Sequence, residues 1–273
     1  MTPSLPAWWQ RLAERAAQPP LRPRRSLWIA GAPSPIGSIE PALAERMRAA
    51  GLPLHAHRGD AAGGNAAERL AGAPDAALAG VARWLHAQGL AGAWRDELLA
   101  VTDARGAARA VVERAAVRPL GIATFAVHLI GLGPDDGGDG VWVQQRALDK
   151  ATDPGQWDTL VGGLVAAGET PRDALERETW EEAGLRLAEL HALRPAGRTL
   201  TIRRPVREGY LVEHIDTFEA RLPRGAAPRN QDGEVERFEC LPPAMLSARL
   251  AEGQFSLEAA LMLSGWLRDR GRL

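Results

Sequence analysis

Glu178, Glu181 and Glu182 stand at i, i+3 and i+4, so on a helix all three carboxylates project from one face. Like charges at that spacing repel by roughly a few tenths of a kcal/mol per pair. A hard divalent cation reverses the sign of that interaction. Mg²⁺ prefers oxygen ligands, keeps several waters and is commonly shared between carboxylates and substrate phosphates. Such a cluster suits a diphosphate substrate: the metal neutralises charge, polarises phosphorus and lowers the pKa of an attacking water. The bland alternative is a solvated acidic face. The residues around the cluster decide between the two.

Residues 163–185 read GLVAAGETPRDALERETWEEAGL. The spacing resembles the Nudix box, G-x5-E-x7-R-E-U-x-E-E-x-G-U, where U is a bulky aliphatic residue. Gly163, Glu169, Arg177, Glu178, Glu181, Glu182, Gly184 and Leu185 fall in register. With this chain's composition, the Gly, Glu and Arg positions would coincide by chance about 10⁻⁵ times per chain, so the solvated-face reading loses. Thr179 departs from the pattern where an aliphatic residue is usual, which touches packing and no catalytic group. The resemblance implies an α/β/α sandwich on a mixed sheet, hydrolysing nucleoside diphosphates linked to another moiety, or related diphosphates. It implies Mg²⁺, with Mn²⁺ able to substitute. Carried over by position, Glu178 and Glu182 are metal ligands, and Glu181 is a further ligand or helps to activate water. Glu169 lines the metal region, and Arg177 orients the carboxylates through charge-assisted bonds. Gly162 and Gly163 let backbone and phosphate approach closely. A Glu from a later loop or strand is also expected; NQDGEVERF at 230–238 offers Glu234 and Glu236, and Glu234 is favoured.

A narrower resemblance covers almost the whole chain. WRDELLAV (94–101), ERAAVRPLGIATFAVHLIG (113–131), WVQQRALDKATDPGQWDTLVGG (142–163), DGEVERF (232–238) and FSLEAALMLSGWLRDRG (255–271) look like one Nudix subfamily with an extra amino-terminal domain. It includes the Nudix part of fungal thiamine pyrophosphokinase fusions and their plant and yeast homologues. The implied activity is conversion of thiamine diphosphate, or its oxo- and oxy- analogues, to the monophosphate. Such a substrate needs aromatic or apolar walls beside the carboxylates. Trp94, His128, Trp142 and Trp157 are the candidates, with Arg146 and Lys150 for phosphate oxygens. Two other readings stay open: a Nudix hydrolase of ADP-ribose or other nucleotides, and a non-catalytic Nudix module that senses a metabolite. An isopentenyl diphosphate isomerase, also built on this fold, needs a catalytic Cys; the lone Cys240 lies past the box beside Pro242 and Pro243, which discounts it.

The elements that must position these residues are partly readable. Thr170 caps a helix, Pro171 occupies its first turn, Asp173 completes a capping box and Gly184 ends it. Upstream, helices are expected over 3–17, 40–50 and 75–89, the last with Asp75 at its N-cap. A strand is expected at 26–30, a Gly/Ala-rich loop at 59–68 and a hairpin from 97–102 and 108–114. From 119 onward long strands surround the single box helix, separated early by an acidic loop, PDDGGDG, and two helices close the chain. The fold class is α+β, with an amino-terminal α+β domain over 1–118 and the Nudix domain over 119–273. The amino-terminal domain is read as shaping a base pocket or mediating a homodimer, with no residue-level case for either.

The formal net charge of -1 over 273 residues leaves no basic field for nucleic acid. One cysteine excludes a disulfide framework and a multi-cysteine zinc site. MTPSLPAWWQRLAERAAQ lacks the pattern of a signal peptide, and no apolar run approaches the ~18 residues of a membrane span. The expectation is a soluble, cytoplasmic protein with a small-molecule diphosphate as its partner.

Overall fold

The computed structural model describes residues 6–58, 66–133, 140–197 and 199–273. The chain begins with α1 (Ala7–Ala16), β1 (Arg25–Ile29), β2 (Gly37–Ile39), α2 (Pro41–Ala49), β3 (Leu54–Arg58), β4 (Ala66–Leu70) and α3 (Pro74–Ala87). The hairpin β5 (Leu98–Thr102) and β6 (Ala108–Glu113) follows. Then come β7 (Ala123–Leu132), β8 (Val141–Arg146), β9 (Trp157–Thr159), β10 (Val161–Leu164) and α4 (Pro171–Ala183). The remainder is β11 (His191–Pro195), β12 (Leu200–Val206), β13 (Gly209–Arg221), β14 (Val235–Leu241), α5 (Pro243–Ala251) and α6 (Leu257–Arg268).

The larger sheet runs β11-β13-β7-β8-β14, with β10 beside β7, β12 beside β13 and β9 beside β8. β13 and β7 are parallel and their neighbours antiparallel, so the sheet is mixed. Alternate residues of β7 face opposite layers. Val127 and Leu129 pack with Leu175 of α4. Ala126 and Ile130 pack with Leu263 and Trp266 of α6. This is an α+β sandwich. A smaller sheet, β2-β1-β4-β3, covers α2 and α3 in a second core built from Leu27 to Ile122.

Three expectations change, and a fourth falls outside the described residues. Of the stretch expected as a loop at 59–68, residues 59–65 lie outside the described residues, and Ala66 to Glu68 open β4 instead. β4 runs parallel to β1 with Ala67 and Leu70 buried, and the fully buried Glu68 accepts from both Arg25 and Arg48 at 2.8 and 2.6 Å. Asp75 does not cap α3: the N-cap is Ala73 without a side-chain bond, and Asp75 accepts from the Val111 amide across to β6. The acidic loop at 134–140 lies outside the described residues except for Gly140. Finally, α1 leaves the amino-terminal core altogether. Leu12 and Ala16 join the α6 side of the large sheet, Gln18 N–H donates to the Arg203 carbonyl at 2.8 Å, and Tyr210 Oη donates to the Gln18 carbonyl.

Candidate active site

The box helix α4 forms because its start and stop are written locally. The Thr170 hydroxyl accepts from the Asp173 amide while the Asp173 carboxylate accepts from the Thr170 amide, a reciprocal capping box. Gly184 closes the helix in the left-handed region, at φ 63°. Leu175, Thr179 and Ala183 face the sheet, with Thr179 Oγ1 turned back on the Leu175 carbonyl; this resolves the polar residue at an aliphatic position. The loop before α4 is fastened to the amino-terminal hairpin by Ala167 N–H to the Leu98 carbonyl, 2.8 Å.

Two glycines of β10 receive the carboxylates. A Cβ on Gly163 would overlap the Glu178 carboxyl group, and one on Gly162 would strike the His128 ring. Both positions must therefore be bare for packing inside the protein, a reason distinct from phosphate approach. Glu182 is buried and accepts from the Gly162 amide and from Gln144 Nε2, each at 2.9 Å. Burial pushes its carboxyl up to about 8, opposed by the Lys150 ammonium 3.6 Å away. Burial also raises Glu178, against the pull of Arg177.

Arg177 ties the remaining carboxylates. Its guanidinium grips Glu169 bidentately at 2.7 and 2.9 Å, and reaches Glu178 at 2.7 Å, Glu181 at 3.1 Å and the Leu164 carbonyl at 3.0 Å. That grip holds Glu169 below the usual carboxylate range. Among the described residues, no three acidic, imidazole or thiol groups gather closely enough to cage an ion unaided. Arg177 threads between them. The donor set is nevertheless all oxygen, with two carboxyls drawn out of water and only partly compensated by Arg177 and Lys150, and it fits a hard cation of the Mg²⁺ or Mn²⁺ type.

On the facing side, Lys150 Nζ lies 2.5 Å from Glu234 and so joins it to Glu182. Burial raises the Glu234 carboxyl, but its bond to Lys150 outweighs this and holds it below the ordinary value. Glu236, the other candidate, is exposed on β14. Arg146 donates to Asp158 at 3.0 Å and to the Thr152 carbonyl at 3.1 Å, bracing the turn that carries Lys150.

The expected aromatic wall does not assemble. Trp157 is 5% exposed in the α6 core, with Arg237 and Arg249 over its ring, so no face is left for a ligand. His128 is buried beneath Gly162, bonded to Thr159 Oγ1 at 2.8 Å, and burial lowers its pKa. Trp94 belongs to the amino-terminal core, its Nε1 bonded to Asp96 and its ring against His86. Trp142 packs beside the α4 core with its buried Nε1 unpartnered. Sequence reasoning missed Gln144, which holds Glu182. The signal was present: Trp142, Gln144 and Arg146 alternate along β8 and share one face.

No helix among the described residues is long and apolar enough to cross a membrane. The chain is similar to two Arabidopsis thaliana proteins. "Nudix hydrolase 20, chloroplastic" is 31% identical over 192 residues, covering 66% of this chain and 48% of that protein. "Nudix hydrolase 24, chloroplastic" is 31% identical over 173 residues, covering 63% and 47%. The chain thus spans about half the length of the curated relatives it matches. A solved structure of DR0079 from Deinococcus radiodurans aligns at a TM-score of 0.48 with 25% identity, covering 61% of this chain and 97% of that one. The family model of the NUDIX domain matches residues 125–261, just over half of the chain and the whole of the carboxylate site described above; the chain belongs to the NUDIX family.

Proposed function

We propose that this chain hydrolyses diphosphates with a hard divalent cation, Mg²⁺ or Mn²⁺, and that thiamine diphosphate and its oxo- and oxy- analogues are its substrates. The observation that carries the reaction class is the pair Glu178 and Glu182, both drawn out of water against the bare backbone of Gly163 and Gly162. Buried carboxyls without full charge compensation are costly in a merely structural helix. Glu178 and Glu182 would hold the cation, with Glu181 and Glu169 at its margin once Arg177 yields them. When bound, the cation neutralises diphosphate charge and acidifies water.

The chain's own groups do the rest. Lys150 meets a phosphate oxygen as a point charge, and Arg146 keeps its turn in place. Glu234, held ionised by Lys150, accepts the proton of the attacking water. Water oxygen bonds to one phosphorus, the bridging P–O–P bond breaks, and two phosphate-bearing products leave. The substrate assignment rests on the extended sequence resemblance. ADP-ribose or another nucleoside diphosphate derivative is the second reading, favoured by the family as a whole.

The test is turnover of thiamine, oxothiamine and oxythiamine diphosphates, ADP-ribose and a dinucleotide with Mg²⁺, products separated by chromatography. The thiamine group is expected to lead. A nucleotide ahead of it overturns the substrate assignment and keeps the chemistry. Glu178→Gln and Glu182→Gln are expected to lower kcat by at least about 100-fold with the fold intact. Near-normal rates in both variants sink the hydrolase.

A further inference from the structure

Gln144 uses only half of its amide. Nε2 donates to Glu182 Oε2 at 2.9 Å, while Oε1, on the same carbon, is buried and has no hydrogen-bond partner among the described residues. The residue is 1% exposed, so bulk water does not reach that oxygen. A buried acceptor carries the cost of its lost hydration unless something donates to it. The Gly162 amide is given to Glu182, and Lys150 Nζ lies against Glu182 Oε1 and Glu234. Trp142 Nε1, two residues back on the same face of β8, is also buried and also without a partner among the described residues.

The Nε2 bond is duplicated. Glu182 Oε2 accepts from the Gly162 amide as well, at the same 2.9 Å, and that backbone donor is independent of the side chain at 144. Holding Glu182 therefore does not by itself call for an amide here; an apolar side chain would leave no orphaned oxygen. Polarity identifies what Oε1 suits. The hard cation that Glu182 fits keeps several of its waters. A water on a cation turns its lone pair to the metal and its hydrogens outward, so it looks for an acceptor. Oε1 is one; the indole N–H of Trp142 is a donor only and cannot serve.

We propose that Gln144 is a positioning residue for the cation: Nε2 orients Glu182, and Oε1 accepts from a water in the shell of the cation that Glu182 holds. One amide then fixes a ligand and the water position beside it. The proposal deepens the hydrolase reading and rests on it for the cation.

Calorimetric titration of the full chain with Mn²⁺, in the absence of any substrate, tests it. Gln144→Met keeps the length and loses both amide atoms; it is expected to weaken Mn²⁺ binding at least about tenfold. Gln144→Glu loses the donor and keeps an acceptor, and is expected to bind within threefold of the unaltered chain or more tightly. Trp142→Phe is expected to change affinity less than twofold. Circular dichroism of the metal-free variants checks their folding, and Gln144→Leu is read in place of Gln144→Met if the latter does not fold. Affinity within twofold in Gln144→Met overturns the proposal. Equal weakening in Gln144→Met and Gln144→Glu also overturns it, since that is the pattern of a side chain acting on Glu182 through Nε2 alone. A loss in Trp142→Phe as large as in Gln144→Met overturns it too, because Oε1 would then be served by a structural water shared with the indole. Absence of Mn²⁺ binding at millimolar concentration removes the proposal and the cation together. Mn²⁺ binding that follows these variants, with no diphosphate turned over, sinks the hydrolase and leaves the proposal standing; turnover with Mn²⁺ binding indifferent to Gln144→Met does the reverse.

Discussion

At Gly163 the missing side chain is what lets the Glu178 carboxyl lie flat against β10. Gly163→Ala is expected to displace Glu178 before it disturbs the core, lowering kcat at least tenfold while costing about 1–3 kcal/mol or less in stability. Steady-state rates beside a urea titration check this; a rate unchanged while stability drops refutes it. Glu258, at the start of α6 and remote from the carboxylate site, gives a prediction of opposite character. Burial, reinforced by Glu213, pushes its carboxyl up to about 7 from an ordinary 4.5. The folded protein therefore holds this proton more tightly than the unfolded chain does. Stability falls as pH rises from 4.5 to 7, and the full cost is present above 7. Glu258→Gln is expected to stabilise by about 1–3 kcal/mol at pH 8 and by nothing measurable near pH 4.5. A gain that is equal at both pH values refutes the assignment. These residues differ in how far the sequence discloses them. The box glutamates announce themselves by spacing. The burial of Glu258, and of Trp157 beneath two arginines, depends on strands far away in the chain.

The element that carries the chemistry, α4, is also the one most legible beforehand, because cap, first-turn proline and terminal glycine all lie within its own fifteen or so residues. Its capping box is exposed, and among the described residues the Thr170 and Asp173 side chains hydrogen-bond only within the box. Thr170→Ala is expected to cost about 1 kcal/mol, read as a lowered Tm, with kcat falling by less than twofold because Glu178 lies two turns away. A twofold or larger loss of kcat at unchanged Tm would mean that the cap positions the carboxylates directly. Elements lacking local signals were not legible. β4 is an Ala-rich strand made by parallel pairing to β1, some forty residues upstream. α3, by contrast, was legible from its apolar stripe, expected over 75–89 and found over Pro74–Ala87; only its start differs, because it begins at a proline with no capping side chain and the acidic residue that looks like its cap serves β6 instead.

For the whole molecule, the division of the chain into an amino-terminal and a carboxy-terminal core is drawn near residue 118, where RPLG interrupts the pattern and long strands begin, yet α1 crosses it. Its apolar stripe docks on α6 and β12, with Arg268 over the Trp9 ring. The unit between β1 and β6 is consequently held at both ends by the larger unit, through α1 on α6 and β12 and through the run from β6 into β7. Leu12→Ala is expected to destabilise the molecule by about 2–3 kcal/mol, detected in the unfolding of α6 by hydrogen exchange. Protection of α6 unchanged in that variant would show α1 to be a passive tail.

The position of α1 also sets a timetable. It is synthesised well before its partner α6, which begins about 240 residues later. At roughly 5–20 residues per second, Trp8 and Leu12 wait on the order of 12–50 s for the surface that covers them. A helix made early is thus among the last to find its place, and the sheet must be nearly complete before α1 can be fastened to it.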